Sequence, residues 1–328
     1  MIVGVKRFSF GVTNMTSSIA FYRDVVGYKK VVTDFTGMDS MRCRLIGRTV
    51  HMRVVILEHE KDGSQVELVQ FLPWADRVQH SPRPTTPEAH QWKTIGPIEA
   101  AFTANARSAY IELTTRGIEY YCPPTYFSVP PDVHAWHVDS PGVRAGSYSY
   151  ILDPDEALVE LVGSAEGTEF EDFKGVDGIS HVAVGVTNYE RSLDFYQNTL
   201  GFSVLRFYLE GPLELMSAVT GELVPMKLCM LSTEPAEMGK PRQPGVEIVQ
   251  IMPPYPYLLK GLPPDARWGD LGEMGFALEV KDIDEECRNL AEKGVRFYLD
   301  LTDDRLTNTR FAMIADPDDI MVGLFERL

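Results

Sequence analysis

The chain has 328 residues, 44% hydrophobic and 24% charged, with a formal net charge of −16. That length suffices for two cores of about 150 residues each, and the acidic balance, with no Lys/Arg block to offset it, excludes nucleic acid and anionic membrane surfaces as expected partners. The four cysteines (Cys43, Cys122, Cys229, Cys287) show no CxxC spacing and read as reduced thiols. With no basic-then-apolar leader and no apolar run of about 18 residues, the expected location is cytoplasmic.

In chain order, residues 3–12 alternate and are rich in β-branched and aromatic side chains, which predicts a half-buried strand. Thr13 and Asn14 supply N-cap chemistry for an amphipathic helix carrying Ile19, Phe21, Tyr22, Val25 and Val26, stopped by Gly27. Three strand-like runs follow, YKKVVTDF, TVHMRVVILEH and SQVELVQFL, so the unit is βαβββ. The same unit recurs later. GVTNMTSSIAFYRDVVGY (11–28) and GVTNYERSLDFYQNTLGF (185–202) share Gly-Val-Thr-Asn, Phe-Tyr and Gly-aromatic in one register, and VELVQ (66–70) matches VEIVQ (246–250).

Residues 98–121 and 276–299 each read as an apolar strand, an amphipathic helix, a Gly stop and a short strand. Both are followed by a strand, an Asp-Pro-Asp turn and a last strand, ending in LDPDEALVELVG and ADPDDIMVGLFE. The predicted fold is therefore α+β, with four βαβββ modules over 1–72, 97–163, 178–252 and 273–328. The first two form an N-terminal half (1–163) and the last two a C-terminal half (178–328), joined by an acidic linker at 164–177. Proline-rich connectors occupy 73–97 and 253–272, longer than ordinary loops.

ISHVAVGVTNYERSLDFYQNTLGF, DPDEALVELVG and the paired βαβββ order resemble the vicinal oxygen chelate superfamily, which includes glyoxalase I, bleomycin-resistance proteins and extradiol dioxygenases. The resemblance implies that pairs of modules form cupped eight-stranded mixed sheets. It also implies one divalent metal ion (Zn, Mn, Fe, Co or Ni), held by first- and last-strand residues and open to a substrate with two neighbouring oxygens. Its ligand positions fall on Arg7 and Glu67, on Ile98 (or Glu99 if the strand slips by one) and Glu160, on His181 and Glu247, and on Gly275 and Gly323. Pairing in sequence order leaves neither cup a convincing site. Pairing the second module with the third, and the first with the fourth, gathers Glu160, His181 and Glu247 as metal ligands and leaves Arg7, Gly275 and Gly323 in a cup without them. Glu67 then reads either as a buried partner of Arg7 or as a catalytic group.

A second cluster, His134 and His137 in DVHAWHVDS, lies in a proline-flanked loop and offers acid/base groups or a further ligand. Tyr120, Tyr121, Tyr126, Phe127, Tyr148, Tyr150, Phe207 and Tyr208 are either pocket walls for an aromatic substrate or ordinary core. The implied activity is a metal-dependent enzyme polarising a small oxygenated metabolite for isomerase, lyase or hydrolytic chemistry. Its alternatives are an extradiol-type dioxygenase with Fe(II), which wants two histidines and one carboxylate, and a metal-free metabolite- or drug-binding protein. The expected partner is a small molecule, and the expected assembly a monomer or homodimer.

Overall fold

A computed structural model of the chain describes residues 1–72, 92, 94–128, 134–135, 145–164, 175–234, 243–252, 268 and 272–328. The first module contains β1 (Ile2–Gly11), α1 (Met15–Ala20), β2 (Lys30–Gly37), α2 (Ser40–Ile46), β3 (His51–Glu58) and β4 (Gln65–Leu72). The second contains β5 (Gly96–Ala104), α3 (Ala106–Thr115), β6 (Tyr120–Ser128), β7 (His134–Ala135), β8 (Ala145–Leu152) and β9 (Leu158–Ser164). The third contains β10 (Val176–Gly185), α4 (Tyr189–Asp194), β11 (Val204–Pro212), α5 (Ser217–Thr220), β12 (Pro225–Ser232) and β13 (Gly245–Ile251). The fourth contains β14 (Gly272–Val280), α6 (Ile283–Glu292), β15 (Phe297–Asp304), β16 (Thr309–Ala315) and β17 (Met321–Arg327). The four predicted modules are present; α2 and α5, inserted between the second and third strands of modules one and three, were not anticipated.

Two curled mixed sheets result. One runs β15-β16-β17-β14-β1-β4-β3-β2, uniting the first and fourth modules; the other runs β6-β8-β9-β5-β10-β13-β12-β11-β7, uniting the second and third. Each sheet thus takes one module from either side of the 164–177 segment. We call them the outer-pair and inner-pair sheets. In each, an antiparallel seam joins the modules: β1 against β14 and β5 against β10.

Alternation along the strands divides the side chains between two faces. On one face, Phe8 and Phe10 of β1, Ala100 and Phe102 of β5, Val182 and Val184 of β10 and the helix residues Phe21, Tyr22, Phe195 and Tyr196 share a single core. Phe8 and Phe102 meet edge to face there, with ring centroids 5.5 Å apart. The opposite, concave faces hold separate clusters, one around Tyr148, Tyr150 and Val249, the other around Met52, Phe311 and Phe325.

The repeated motifs act at this junction. Asn14 and Asn188 cap α1 and α4 as their chemistry predicts, and each helix ends in a wide turn, closed by Val26 N–H on the Phe21 carbonyl and Leu200 N–H on that of Phe195. The Thr13 backbone N–H donates to Asp155 at 3.0 Å and the Thr187 N–H to Asp318 at 3.1 Å. Tyr22 and Tyr196 hydroxyls donate to Asp153 and Asp316, both at 3.1 Å. The Asp-Pro-Asp turns therefore clip one sheet to the helix of the other. Gly185 in the second Gly-Val-Thr-Asn is fixed by crowding, because a Cβ there would lie 1.9 Å from the Thr94 carbonyl oxygen.

Among the described residues, no helix is long and apolar enough to cross a membrane. Since Tyr22 and Tyr196 hydroxyls are bonded to buried aspartates, Tyr22→Phe and Tyr196→Phe are each expected to cost about 1–2 kcal/mol. Urea unfolding checks this, and an unchanged midpoint in both variants would contradict the clip.

Candidate metal centre

The inner-pair sheet fixes four ionisable side chains on its concave face through strand register. Across the seam His181 stands opposite Ala101 and Ala183 opposite Glu99; Ala101 is also opposite Glu160, and Ala183 opposite Glu247. Directly opposed residues share a face, as do residues two apart on a strand. Glu99, Glu160, His181 and Glu247 consequently converge.

All four are buried. His181 Nε2 lies 3.2 Å from Glu160 Oε2, 3.8 Å from Glu99 Oε1 and 3.9 Å from Glu247 Oε2. Ligand atoms of Glu99, His181 and Glu247 all lie within 4.8 Å of one another. His181 Nδ1 is 3.1 Å from Ser180 Oγ, so once the ring gives up its Nε2 proton, the tautomer that donates Nδ1–H to Ser180 has an Nε2 lone pair free for an ion among the carboxylates. The Trp92 indole N–H donates to Glu99 Oε2 at 3.0 Å, leaving Oε1 turned toward His181.

Three of the convergent atoms, Glu99 Oε1, Glu160 Oε2 and His181 Nε2, make no well-aligned hydrogen bond, and their closest approach is the 3.2 Å between His181 Nε2 and Glu160 Oε2. Buried polar atoms are normally paired. A buried set of two carboxylate oxygens and an imidazole nitrogen without well-aligned hydrogen bonds, with Glu247 Oε2 beside it, has the donor types of a divalent-ion site. The residues present therefore fit one.

Electrostatics tell the same story. Burial, reinforced by the Glu160 charge, pushes Glu99 up to about 7. Burial raises Glu247 well above the usual carboxylate range; attraction to His181 opposes this, and repulsion from Glu99 and Glu160 adds to it. Burial works against the imidazolium, but the surrounding carboxylates outweigh it and push His181 up to about 10. Without a cation, the cluster holds its protons.

The sequence placed Glu160, His181 and Glu247 in one cup, and the structure brings these three together. Glu99, named only as the slipped alternative to Ile98, completes the set. The cause is a β-bulge: Ala183 pairs with Glu99 and Val184 with Pro97, skipping Ile98, which lies buried in the apolar wall. A sequence signal for Glu99 existed, because Trp92 precedes it by seven residues as Trp268 precedes Gly275, with Ile95-Gly96 and Leu271-Gly272 between. His134 lies in β7, paired through its backbone with Glu210 at the β11 edge, and His137 is outside the described residues. Of the expected aromatics, Tyr148, Tyr150 and Phe207 border the site, while Tyr121 and Tyr126 are exposed. Tyr120 and Tyr208 pack against the other core.

The outer-pair sheet carries a different arrangement. Arg7 occupies the place of His181 and donates through Nε and Nη2 to Gln65 Oε1 at 3.0 and 2.8 Å, its guanidinium over the Phe325 ring. Glu67 does not pair directly with Arg7. It accepts from Ser9 and from Arg42 of α2, and Arg42 also binds Asp304 at 3.1 Å through both Nη atoms. Arg42 is thus consumed by internal pairs and is not free for an anionic substrate. At Gly323 a Cβ would lie 2.8 Å from the Ala277 Cβ and 3.2 Å from the Phe311 ring, so no ligand side chain fits there.

Residues 178–324 match the sequence profile of the Glyoxalase/Bleomycin resistance protein/Dioxygenase superfamily. That stretch, a little under half of the chain, is similar in sequence to this superfamily. The whole chain has the superfamily's fold. The uncharacterized protein YwkD of Bacillus subtilis (strain 168) is 26% identical over 152 residues, 45% of this chain and 96% of that protein. Glyoxalase I from Zea mays superposes with a TM-score of 0.58 at 14% identity, covering 98% of this chain and 92% of that one. A putative dioxygenase from Bacillus subtilis subsp. subtilis str. 168 gives 0.60 at 13% identity, covering 99% and 85%. At these identities the two structures establish fold alone.

The raised Glu99 sets a pH dependence with a definite sign. A carboxyl whose folded pKa is raised contributes most stability below its unfolded value and loses it as pH rises through the folded value, here about 7. Gln mimics the protonated form and still accepts from Trp92. In chelator, Glu99→Gln should therefore gain stability relative to the parent chain between pH 5 and 8, as read by urea unfolding; a constant or falling difference would contradict this.

Proposed function

We propose that the chain is a divalent-metal-dependent enzyme in which Glu99, Glu160, His181 and Glu247 hold the ion and a small oxygenated metabolite is the substrate. The observation that carries this reading is the convergence of buried Glu99, Glu160 and Glu247 oxygens on His181 Nε2, at 3.8, 3.2 and 3.9 Å. Without a cation, Glu99 and Glu247 lie buried only by keeping protons that exposed carboxyls give up, which costs stability near neutral pH and weighs against the metal-free binding protein. A bound ion supplies Lewis-acid polarisation of a carbonyl or hydroxyl oxygen. The carboxylate-rich donor set favours the harder ions of the expected group, Mn(II) and Fe(II), over zinc.

The chain's own groups then bind and orient. Tyr148, Tyr150 and Phe207 give the site an apolar wall, excluding water and strengthening each charge interaction inside. The buried Tyr150 hydroxyl, which interacts with Glu99, is placed to donate to a substrate oxygen. Burial raises its pKa well above that of a free phenol, with nearby Glu160 and Glu99 adding to the effect, so it stays protonated. His134 and His137 are the proposed proton carriers, His134 standing at the rim strand β7. Isomerase, lyase or hydrolytic chemistry suits such a centre. One imidazole among three carboxylates departs from the two-histidine, one-carboxylate set of an extradiol dioxygenase, which keeps that reading second.

Protein purified without chelator should carry about one divalent ion per chain, and His181→Ala should remove it. Because Glu99 and His181 must give up protons to ligate, Mn(II) affinity should rise from pH 6 to 8 with proton release. Elemental analysis and calorimetry in two buffers check both points; full metal retention in His181→Ala would end the proposal. Oxygen uptake with a catechol panel would favour the dioxygenase.

A further inference from the structure

We infer that Trp92 is a positioning residue of the metal centre: its indole N–H holds one oxygen of Glu99 so that the other is presented to the ion. The inference rests on the metal-binding reading above. Trp92 is 1% exposed and donates to Glu99 Oε2 at 3.0 Å, while Glu99 Oε1 makes no well-aligned hydrogen bond and lies 3.8 Å from His181 Nε2. A carboxylate held in this way on one oxygen is oriented so that the other faces the ion, and turning it away would break the Trp92 hydrogen bond. Partners of this kind orient a ligand and tune its basicity, and their loss typically costs about 10–100-fold in metal affinity.

The duplication supplies an internal control. Trp268 stands seven residues before Gly275 as Trp92 stands before Glu99, and it too is buried. Gly275 pairs with Ser9 as Glu99 pairs with Ala183, so the two positions are equivalent in the two seams. In the outer-pair sheet there is no carboxylate at that position to hold, and the Trp268 ring faces the Arg42 guanidinium instead, 5.8 Å away. Each tryptophan belongs to the apolar cluster of its own cup, and among the described residues Trp92 is the one whose N–H holds a candidate ligand.

Mn(II) binding to the full chain, followed by electron paramagnetic resonance, tests the inference with Trp92→Phe, Trp268→Phe and the parent chain. Trp92→Phe should weaken Mn(II) binding about 10–100-fold, and Trp268→Phe should leave it unchanged. Equal affinity in Trp92→Phe and the parent overturns the role of Trp92 and leaves the metal reading standing, as does equal weakening by both variants. A parent chain that binds no divalent ion overturns the metal reading and this inference with it. Should Trp92→Phe fail to fold, the indole N–H signals of the parent chain serve instead. On adding diamagnetic Zn(II), the Trp92 signal must shift because its acceptor has become a ligand; a Trp92 signal unmoved at saturating metal refutes the inference.

Discussion

Burying several like-charged carboxylates beside one imidazole, on the concave wall of an apolar sheet, is the constraint around which the inner-pair sheet is organised. The antiparallel pairing of β5 with β10 enforces it. That seam joins the second and third modules and sets Ala101, and with it Glu160, opposite His181, and Glu99 opposite Ala183. The side chains cannot withdraw to water, since each is buried and fixed by its strand. They either keep protons, as the raised pKa values of Glu99, Glu247 and His181 describe, or share a cation.

The outer-pair sheet shows the same architecture with the opposite solution. There the cations are built in. Arg7 replaces the histidine, and Arg42 reaches from α2 to lie between Glu67 and Asp304. A guanidinium spreads its donors in a fixed fork suited to carboxylates, so the acids in that cup are already compensated. Gly275 and Gly323 leave no side chain to ligate anything, and Phe311 fills the space beside Gly323. One duplicated plan has thus yielded one cup stabilised by its own arginines and one whose acids lack a counter-ion.

Much of this was legible in the sequence because the repeated residues have strict local jobs. Thr13, Asn14 and Tyr22, with their counterparts Thr187, Asn188 and Tyr196, are kept by capping and by the clip to Asp153, Asp155, Asp316 and Asp318; none of them touches the candidate metal centre. Counting ligands at strand positions was enough to favour the pairing of the second module with the third. A bulge was not readable. One extra residue at Ile98 reverses which neighbour faces inward, and alternation alone cannot locate that slip. The Arg42 pairs were not readable either, because a seven-residue helix between two strands leaves little periodic signal, and the partner Asp304 lies 262 residues away.

The most direct test of the account is anomalous scattering from crystals of the chain soaked in Mn(II). The account predicts a single strong peak within coordination distance of Glu99, Glu160, His181 and Glu247, and none beside Arg7, Arg42 and Glu67. A peak in the outer-pair cup, or no peak among the four inner-pair residues at saturating Mn(II), would contradict it.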